Sequence, residues 1–374
     1  MNVCIFFHRF DGGGAERTTV CLANELRKRG HHVEIAVRYN YGPSKELLDK
    51  NIPVLDMKIP EKGKLRKNVK NIQKLIRIMN SGKYDLVMAV MSEMAQVAAI
   101  AYAFSGKNTP LICVLHNTMS VEKTSFRIVR RSLFRFFDRQ YSQVVAVSEA
   151  VRLDYLRCCD AASEKVTTVY NPVVGEELFT QMRETIVHPW LGKNRSCYTL
   201  LLAGRLSPQK NHALMFRTLL KLRSYGDFRL ILLGEGELED KLREQVKRLG
   251  LKEWVDFAGY VSNPYAYMAA CDCLVLSSEY EGLPTVLIEA LACGCRIVSV
   301  DCPSGPREIL NGGEFGILVE MDDAEALKEG ILKAIQQVPD YERLRQRAMD
   351  FSIENAGLGY ENVFNKAMRY GRRE

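Results

Sequence analysis

Short apolar runs alternate with stretches of three-to-four-residue hydrophobic spacing along most of this chain, and the series starts twice. The first series has its apolar runs at 2–7, 31–37, 85–90, 111–115, 144–147 and 166–170. The second has them at 198–203, 229–233, 255–261, 273–276 and 296–300. Runs this short between helix-period segments read as buried strands, because successive parallel strands need a crossover and most crossovers are helical. Two such series predict an α/β protein with two doubly wound parallel sheets facing each other across a cleft. A length of 374 residues accommodates both. The expected domains are 1–172, then a linker at 173–197 that contains Pro189 and Gly192 with little periodicity, then 198–350. A final amphipathic helix over 351–374 is capped by Ser352 and runs through Tyr360 and Phe364.

Chemistry-bearing residues collect where strands end. After the run at 273–276, Glu281 sits in a glycine turn, and Pro284 suits the first helical position, where its missing N–H has no intrahelical partner to lose. The other backbone donors there remain for an anion or a polar ligand. Glu289 follows after seven intervening residues, about a turn and a half into the helix, so both carboxylates can face one cleft. An ionised Glu accepts hydrogen bonds from neighbouring hydroxyls of a ribose or hexose. The competing possibility is that both are surface charges, the usual place of Glu, although Ile288, Ala290 and Leu291 suggest a buried setting for Glu289.

Three further strand ends carry similar signals. Gly12, Gly13 and Gly14 precede a helix with apolar positions at Val20, Ala23 and Leu26, an anion-binding arrangement that lacks the Gly-x-Gly-x-x-Gly spacing. Gly204 is followed by Arg205 and Lys210, two cations able to neutralise a diphosphate without a metal, Arg as a fork and Lys as a point charge. His116 stands at the carboxyl end of the run at 111–115, where open α/β sheets place ligands, although a lone His is more often structural. The sequence holds no Asp-x-Asp, and its 11 cysteines include no Cys-x-x-Cys, so reduced buried thiols and no metal site are expected.

The stretch Glu-Gly-Leu-Pro-Thr-Val-Leu-Ile-Glu-Ala-Leu-Ala-Cys-Gly at 281–294 resembles the Glu-x7-Glu signature of the retaining nucleotide-sugar glycosyltransferases of family four, which have the two-domain GT-B architecture. Gly204-Arg205-Leu206 with Lys210-Asn211 resembles a second element of that family. The resemblance implies transfer of a hexose or N-acetylhexosamine from a UDP-sugar, with retention, to a glycan acceptor. That acceptor would be polyprenyl-linked, in bacterial surface polysaccharide or glycoprotein glycan assembly. By the same resemblance, Glu281 meets the donor sugar, Glu289 the ribose, Arg205 and Lys210 the leaving diphosphate, and His116 the sugar from the opposite wall. Gly13 and Gly14 meet the phosphates. Gly204 and Gly234 line the donor, Gly259, Tyr260 and Val261 hold the nucleobase edge, and Gly282, Leu283, Pro284 and Thr285 complete the turn. No cofactor beyond the donor substrate is implied. The loop at 301–308 resembles a variant found in members that transfer galactose-type or N-acetylhexosamine units, and the terminal helix is expected to cross back to the first domain.

Charge is unevenly divided. Residues 1–172 carry 27 Lys+Arg against 16 Asp+Glu, and the remainder 25 against 29, which points to an anionic partner for the first half. A helix over 62–83 has Lys62, Lys64, Arg66, Lys67, Lys70, Lys74, Arg77 and Lys83 with no acid between them. Over 126–141, aromatic and basic residues alternate from Phe126 to Tyr141. Both helices suit peripheral contact with an anionic membrane. In the second, Val129, Leu133 and Phe137 equally form the stripe that a helix buries on its own sheet. No apolar run is long enough to span a bilayer. The expected location is cytoplasmic, on the inner face of the plasma membrane. A UDP-sugar 2-epimerase shares the architecture, and a dinucleotide oxidoreductase is disfavoured by the glycine spacing. A non-catalytic RNA-binding or scaffolding protein would use the basic half, but no base-stacking aromatic motif is present, so no nucleic acid partner is expected.

Overall fold

The computed structural model describes residues 1–60, 64–106, 109–120, 127–192 and 195–370. The chain forms two units, one of Met1–Pro172 with Ile353–Glu374 and one of Val173–Ser352. Unit 1 runs β1 (Asn2–Arg9), α1 (Gly14–Lys28), β2 (His32–Tyr39), β3 (Val54–Asp56), α2 (Lys64–Met79), β4 (Leu86–Val90), α3 (Ser92–Ala103), β5 (Leu111–Leu115), α4 (Arg127–Asp138), β6 (Gln143–Ala146), α5 (Glu149–Cys159) and β7 (Val166–Thr168). Its seven strands lie in the order β3-β2-β1-β4-β5-β6-β7, all parallel. Both faces of β1 are covered: Val3, Cys4, Ile5, Phe6 and Phe7 are all fully buried, which is why the strand reads as a continuous apolar run rather than an alternation.

Unit 2 runs α6 (Glu176–Gln181), β8 (Tyr198–Ala203), α7 (His212–Leu222), β9 (Phe228–Leu233), α8 (Glu239–Arg248), β10 (Val255–Gly259), α9 (Pro264–Ala270), β11 (Cys273–Leu276), α10 (Thr285–Ala292), β12 (Ile297–Val300), α11 (Pro306–Ile309), β13 (Ile317–Val319), α12 (Ala324–Gln336) and α13 (Tyr341–Met349). Its six parallel strands lie in the order β10-β9-β8-β11-β12-β13. Helix starts follow side-chain caps. Asn211, in the left-handed conformation, accepts from the Leu214 N–H, and Asp323 and Asp340 do the same for α12 and α13.

The last helix, α14 (Ile353–Tyr370), belongs to unit 1. Ala356, Tyr360, Val363, Phe364 and Ala367 recur at helical spacing and enter the core that contains Val3, Ile5 and Leu26. Glu361 on the same helix accepts from Arg29 at 2.8 Å and pairs with His31 at 3.0 Å.

Several elements depart from the sequence expectation. The stretch 173–197, expected as linker, carries α6 and belongs to unit 2: Val174 bridges to Ser352, and Asn263 donates to the Gln181 carbonyl at 2.9 Å. The edge strands β3 and β13 are only three residues each, too short to show a period. Helix α3 hides its period because Met94, Ala95, Val97, Ala98, Ala99 and Ala101 bury most of its circumference. Helix α2 carries the basic stretch from Lys64 to Arg77 and leaves Lys83 beyond its end, and α4 carries the aromatic-basic stretch from Arg127 to Phe137 and leaves Arg139 and Tyr141 beyond its end. Lys62, Phe126 and the side chains of Lys64, Arg66, Arg127, Val129, Arg130, Arg131 and Phe134 lie outside the described residues. In α4, Phe137 is buried while Leu133 and Phe136 are exposed, so Leu133 does not join Phe137 in an apolar stripe on the sheet. Among the described residues no helix is long and apolar enough to cross a membrane.

Candidate functional site

In each sheet the strand order reverses once: β1 lies beside β4 in unit 1, and β8 beside β11 in unit 2. Crossovers leave in opposite directions on either side of such a point, which opens a crevice at the carboxyl ends of the strands. In unit 2 the loops that emerge there are 204–211 after β8 and 277–284 after β11. These two stretches hold the sequence-predicted Gly204, Arg205, Lys210, Glu281, Gly282, Leu283 and Pro284.

The two loops are joined by a short ion pair. Lys210 Nζ lies 2.8 Å from Glu281 Oε1, and their side chains retain only 15% and 9% of their exposure. Backbone and side-chain bonds fix both partners. Gln209 Nε2 donates to the Tyr280 carbonyl at 2.8 Å and sits 3.5 Å from Glu281 Oε2. Ser277 Oγ donates to the Lys210 carbonyl at 2.8 Å, and Glu279 N–H to the Gln209 carbonyl at 2.8 Å. Gln209, next to Lys210 in the sequence, carries no motif signal of its own. Its amide shows a role only when the two loops are brought together.

Close backbone approach explains the glycines at this point. Gly234 has φ of +123°, and a Cβ there would lie 2.2 Å from the Gly204 carbonyl oxygen; Gly234 N–H in turn donates to the Gly259 carbonyl at 2.7 Å. The ends of β8, β9 and β10 therefore interlock through main chain alone. Gly204 leaves room for the Lys210 arm, whose Cε would be 2.9 Å from an added Cβ. Arg205 is exposed, and among the described residues no acid pairs with its guanidinium. Tyr260 is exposed and Val261 half-buried just beyond β10.

The 282–285 turn is braced from the loop that follows β12. Glu281 N–H donates to the Pro303 carbonyl at 3.2 Å, and Gly305, at φ of +92°, packs so closely that a Cβ would lie 2.4 Å from Pro284 Cδ. Pro284 is the N-cap of α10 rather than its first residue, since its ψ of 100° is extended, and Thr285 opens the helix. Glu289, 8% exposed, lies on the inner side of that otherwise apolar helix. Ser278 Oγ and Ser304 Oγ are buried without a hydrogen-bond partner among the described residues, and Ser304 has φ of +61°. His212, the first residue of α7, is buried with neither ring nitrogen bonded among the described residues, and burial followed by the charge of Lys210 pushes it down to about 4.

In unit 1, His116 directly follows β5 and is half-buried. Desolvation pushes its imidazole down to about 4, so it is neutral at physiological pH. Gly13 is the extended N-cap of α1 and Gly14 its first residue. The Glu16 carboxylate lies over Gly13, where an added Cβ would meet Oε2 at 2.6 Å. That acid occupies the positive end of the helix. Among the described residues no group of three or more His, Cys, Asp or Glu is arranged to hold a metal ion.

Comparison with known proteins gives a consistent picture. The family described as Glycosyltransferase Family 4 matches residues 12–176, and the family described as Glycosyl transferases group 1 matches residues 187–351. The N-acetylgalactosamine-N,N'-diacetylbacillosaminyl-diphospho-undecaprenol 4-alpha-N-acetylgalactosaminyltransferase of Campylobacter jejuni is 29% identical over 337 residues, 87% of this chain and 88% of that protein. A second Campylobacter jejuni protein, a GalNAc-alpha-(1->4)-GalNAc-alpha-(1->3)-diNAcBac-PP-undecaprenol alpha-1,4-N-acetyl-D-galactosaminyltransferase, is 28% identical over 95% of this chain and 96% of its own. Among solved structures, Anabaena HepE in complex with UDP and glucose superposes with a TM-score of 0.76 at 23% identity, covering 97% of this chain and 99% of that one. A glycosyltransferase from Rickettsia africae gives 0.80 at 20% identity, with 98% of each covered. At these identities the structural likeness shows the fold.

Proposed function

This chain belongs to the family-four glycosyltransferases of GT-B fold, and from that premise we propose that it transfers a hexose or N-acetylhexosamine from a UDP-sugar, with retention, to a lipid-linked glycan. The observation that carries this reading is the Lys210–Glu281 pair at the unit 2 switch point, flanked by Arg205, which pairs with no acid among the described residues. A nucleotide diphosphate gives Arg205 an anionic partner and offers Lys210 a second one beside Glu281. Its sugar gives Glu281 hydroxyl donors in place of the Lys210 ammonium. Lys210 has three N–H donors, so it can turn toward phosphate oxygens while Glu281 turns toward the sugar.

In the proposed reaction the bond from the anomeric carbon to the β-phosphate oxygen breaks, and the bond from that carbon to the acceptor oxygen forms on the same face. The acceptor proton passes to the departing phosphate oxygen. Arg205 and Lys210 stabilise the charge that develops on the diphosphate, the term that preorganised cations serve best. Glu289 holds the ribose hydroxyls, and Gly259, Tyr260 and Val261 take the nucleobase edge. The backbone of 282–285 supports the donor from the turn. His116 offers a neutral imidazole to the transferred sugar, and the N–H groups after Gly13 and Gly14 face phosphate oxygens. The acceptor class follows the names of the Campylobacter jejuni relatives. Peripheral membrane contact through the basic residues of α2 and the arginines and Phe136 of α4 fits an acceptor of that kind.

The test is incubation with individual UDP-sugars and undecaprenyl-diphosphate-linked glycans, with the new linkage followed by NMR of the anomeric proton. An α-linked product from one UDP-sugar is expected, at a rate indifferent to chelator. A β-linked product would refute retention. Free epimerised sugar formed without acceptor would replace transfer by epimerisation, and indifference to every UDP-sugar would remove the donor assignment.

A further inference from the structure

The switch point of unit 1, between β1 and β4, carries a second built cluster that none of the donor assignments uses. Arg38, near the end of β2, is almost completely buried, and its guanidinium needs acceptors. Nη1 donates to Glu93 Oε1 at 2.7 Å, and the amide of the fully buried Asn71, turned with its oxygen toward the arginine as the donors require, accepts from Nη2 at 2.9 Å and from Nε. Glu93 is the second residue of α3 and its side chain is largely exposed. One carboxylate oxygen is therefore held from below by a buried cation, and Oε2 is left to the outside.

The backbone that presents Glu93 is strained. Met91, which caps α3, has φ of +74°, a conformation that costs a bulky side chain about 1–3 kcal/mol and persists where the surroundings enforce it. On the adjacent strand, His8 is half-buried, and its Nδ1 is buried with no partner among the described residues. An orphaned polar atom of this kind costs about 1–3 kcal/mol unless a ligand satisfies it. Burial, then the positive charge of Arg38, lowers the His8 pKa, with Lys67 and Arg9 in the same sense and Glu93 opposing. Burial alone would raise Glu93, but the hydrogen bond and charge of Arg38, with Lys67 in the same sense, hold it below its ordinary range. The pair is thus a fixed carboxylate and a neutral imidazole. Beside them stand two aromatic rings: Tyr39 meets the His8 ring edge-on at 5.3 Å, and the exposed Tyr41 lies 6.0 Å from Tyr39.

An exposed ionised carboxylate repels phosphate and accepts only from donors; a neutral imidazole both donates and accepts; aromatic faces suit apolar C–H surfaces. Those three features together match a sugar ring. We propose that Glu93 and His8 bind hydroxyl groups of the acceptor's terminal sugar, with Arg38 as the positioning residue for Glu93. This rests on the transfer reading above, and it places acceptor recognition in unit 1 at residues that the donor chemistry leaves unused.

The experiment measures two affinities on the full chain: UDP by calorimetry, and the p-nitrophenyl α-glycosides of N-acetylgalactosamine, N-acetylglucosamine, galactose and glucose by saturation-transfer NMR with UDP present. Wild type is expected to bind at least one glycoside. Glu93→Gln, an exposed and nearly isosteric change, is expected to weaken that glycoside about tenfold or more and to leave the UDP affinity within about twofold. His8→Asn is expected to act in the same direction. With a lipid-linked acceptor the loss appears in the acceptor KM rather than in the hydrolysis of UDP-sugar by water. Glycoside binding unmoved in both variants, binding of none of the four by wild type, or a parallel loss of UDP affinity would each overturn the proposal. Glycoside binding that depends on Glu93 in a protein with no affinity for UDP would instead support the sugar site and overturn the transfer reading.

Discussion

Replacing Lys210 by Met separates the structural from the chemical role of its pair with Glu281. Nζ and Oε1 are 2.8 Å apart, and neither side chain keeps more than 15% exposure. Removing one partner of a buried pair costs about 3–5 kcal/mol, because the other charge stays desolvated. The residual exposure here, and the Gln209 amide 3.5 Å from Glu281 Oε2, reduce that to roughly 2–3 kcal/mol. A domain of this size loses about 2–4 °C of Tm per kcal/mol, so a fall of roughly 4–12 °C is expected for Lys210→Met. Glu281→Gln in the same chain removes the stranded charge. The double variant should therefore regain more than half of the lost stability, with a coupling of about 1–3 kcal/mol between the two sites.

Activity is expected to behave differently. If Lys210 stabilises the departing diphosphate, its loss costs about 10²–10³-fold in turnover, the range for deleting one preorganised charge-stabilising group, and restoring the fold does not restore the rate. Thermal denaturation and turnover of UDP-sugar on the single and double variants read the two effects side by side. Recovery of turnover together with stability in the double variant would refute the reasoning, as would wild-type turnover in Lys210→Met, because either outcome makes the pair a structural strut.

Two further expectations concern the same unit. His212 is buried neutral with a pKa near 4, below its ordinary 6.5, so it contributes stability that is present above pH 6.5 and is lost as pH falls from there through 4, because the unfolded chain takes up the proton near 6.5 and the folded chain only near 4. Urea midpoints between pH about 7 and about 4.5 should fall less steeply for His212→Phe than for wild type; equal slopes would show that the imidazole charges without penalty. Gly305→Ala forces a Cβ to within 2.4 Å of Pro284 Cδ at a φ of +92°, so the 282–285 turn must move. UDP-sugar affinity is expected to drop about tenfold or more, and an unchanged affinity would detach this loop from the donor site.

Apart from the short edge strands β3 and β13, the strands of both sheets were legible because a parallel sheet covered on both faces needs continuous apolar runs, and Val3 to Phe7 or Leu200 to Leu202 can hardly be read otherwise. The donor loops were legible for a related reason: glycines that permit main-chain contact, such as Gly234 against Gly204, must stand beside the charged residues whose loops they bring together. The sequence does not disclose which side chain meets which. Arg205 and Lys210 look equivalent in the motif, yet one is exposed without an acid and the other is locked to Glu281. That difference arises from the register of β8 against β11, which pairs Leu200 with Cys273 and so sets how far each following loop reaches.

The same limit applies more strongly in unit 1. Arg38 and Glu93 are far apart in the chain, neither lies in a glycine turn, and Asn71 sits in a helix whose conspicuous feature is its lysines. A buried arginine gives no periodic signal, because in sequence it resembles any surface cation. Only the parallel neighbours β2, β1 and β4, in that spatial order, carry Arg38, His8 and the strained Met91 to one edge. Fold topology therefore does more for acceptor recognition than any motif does. The donor shares a nucleotide chemistry that demands a recurring set of cations and acids, whereas an acceptor sugar asks only for hydroxyl partners, and those can be drawn from whichever residues the switch point brings together.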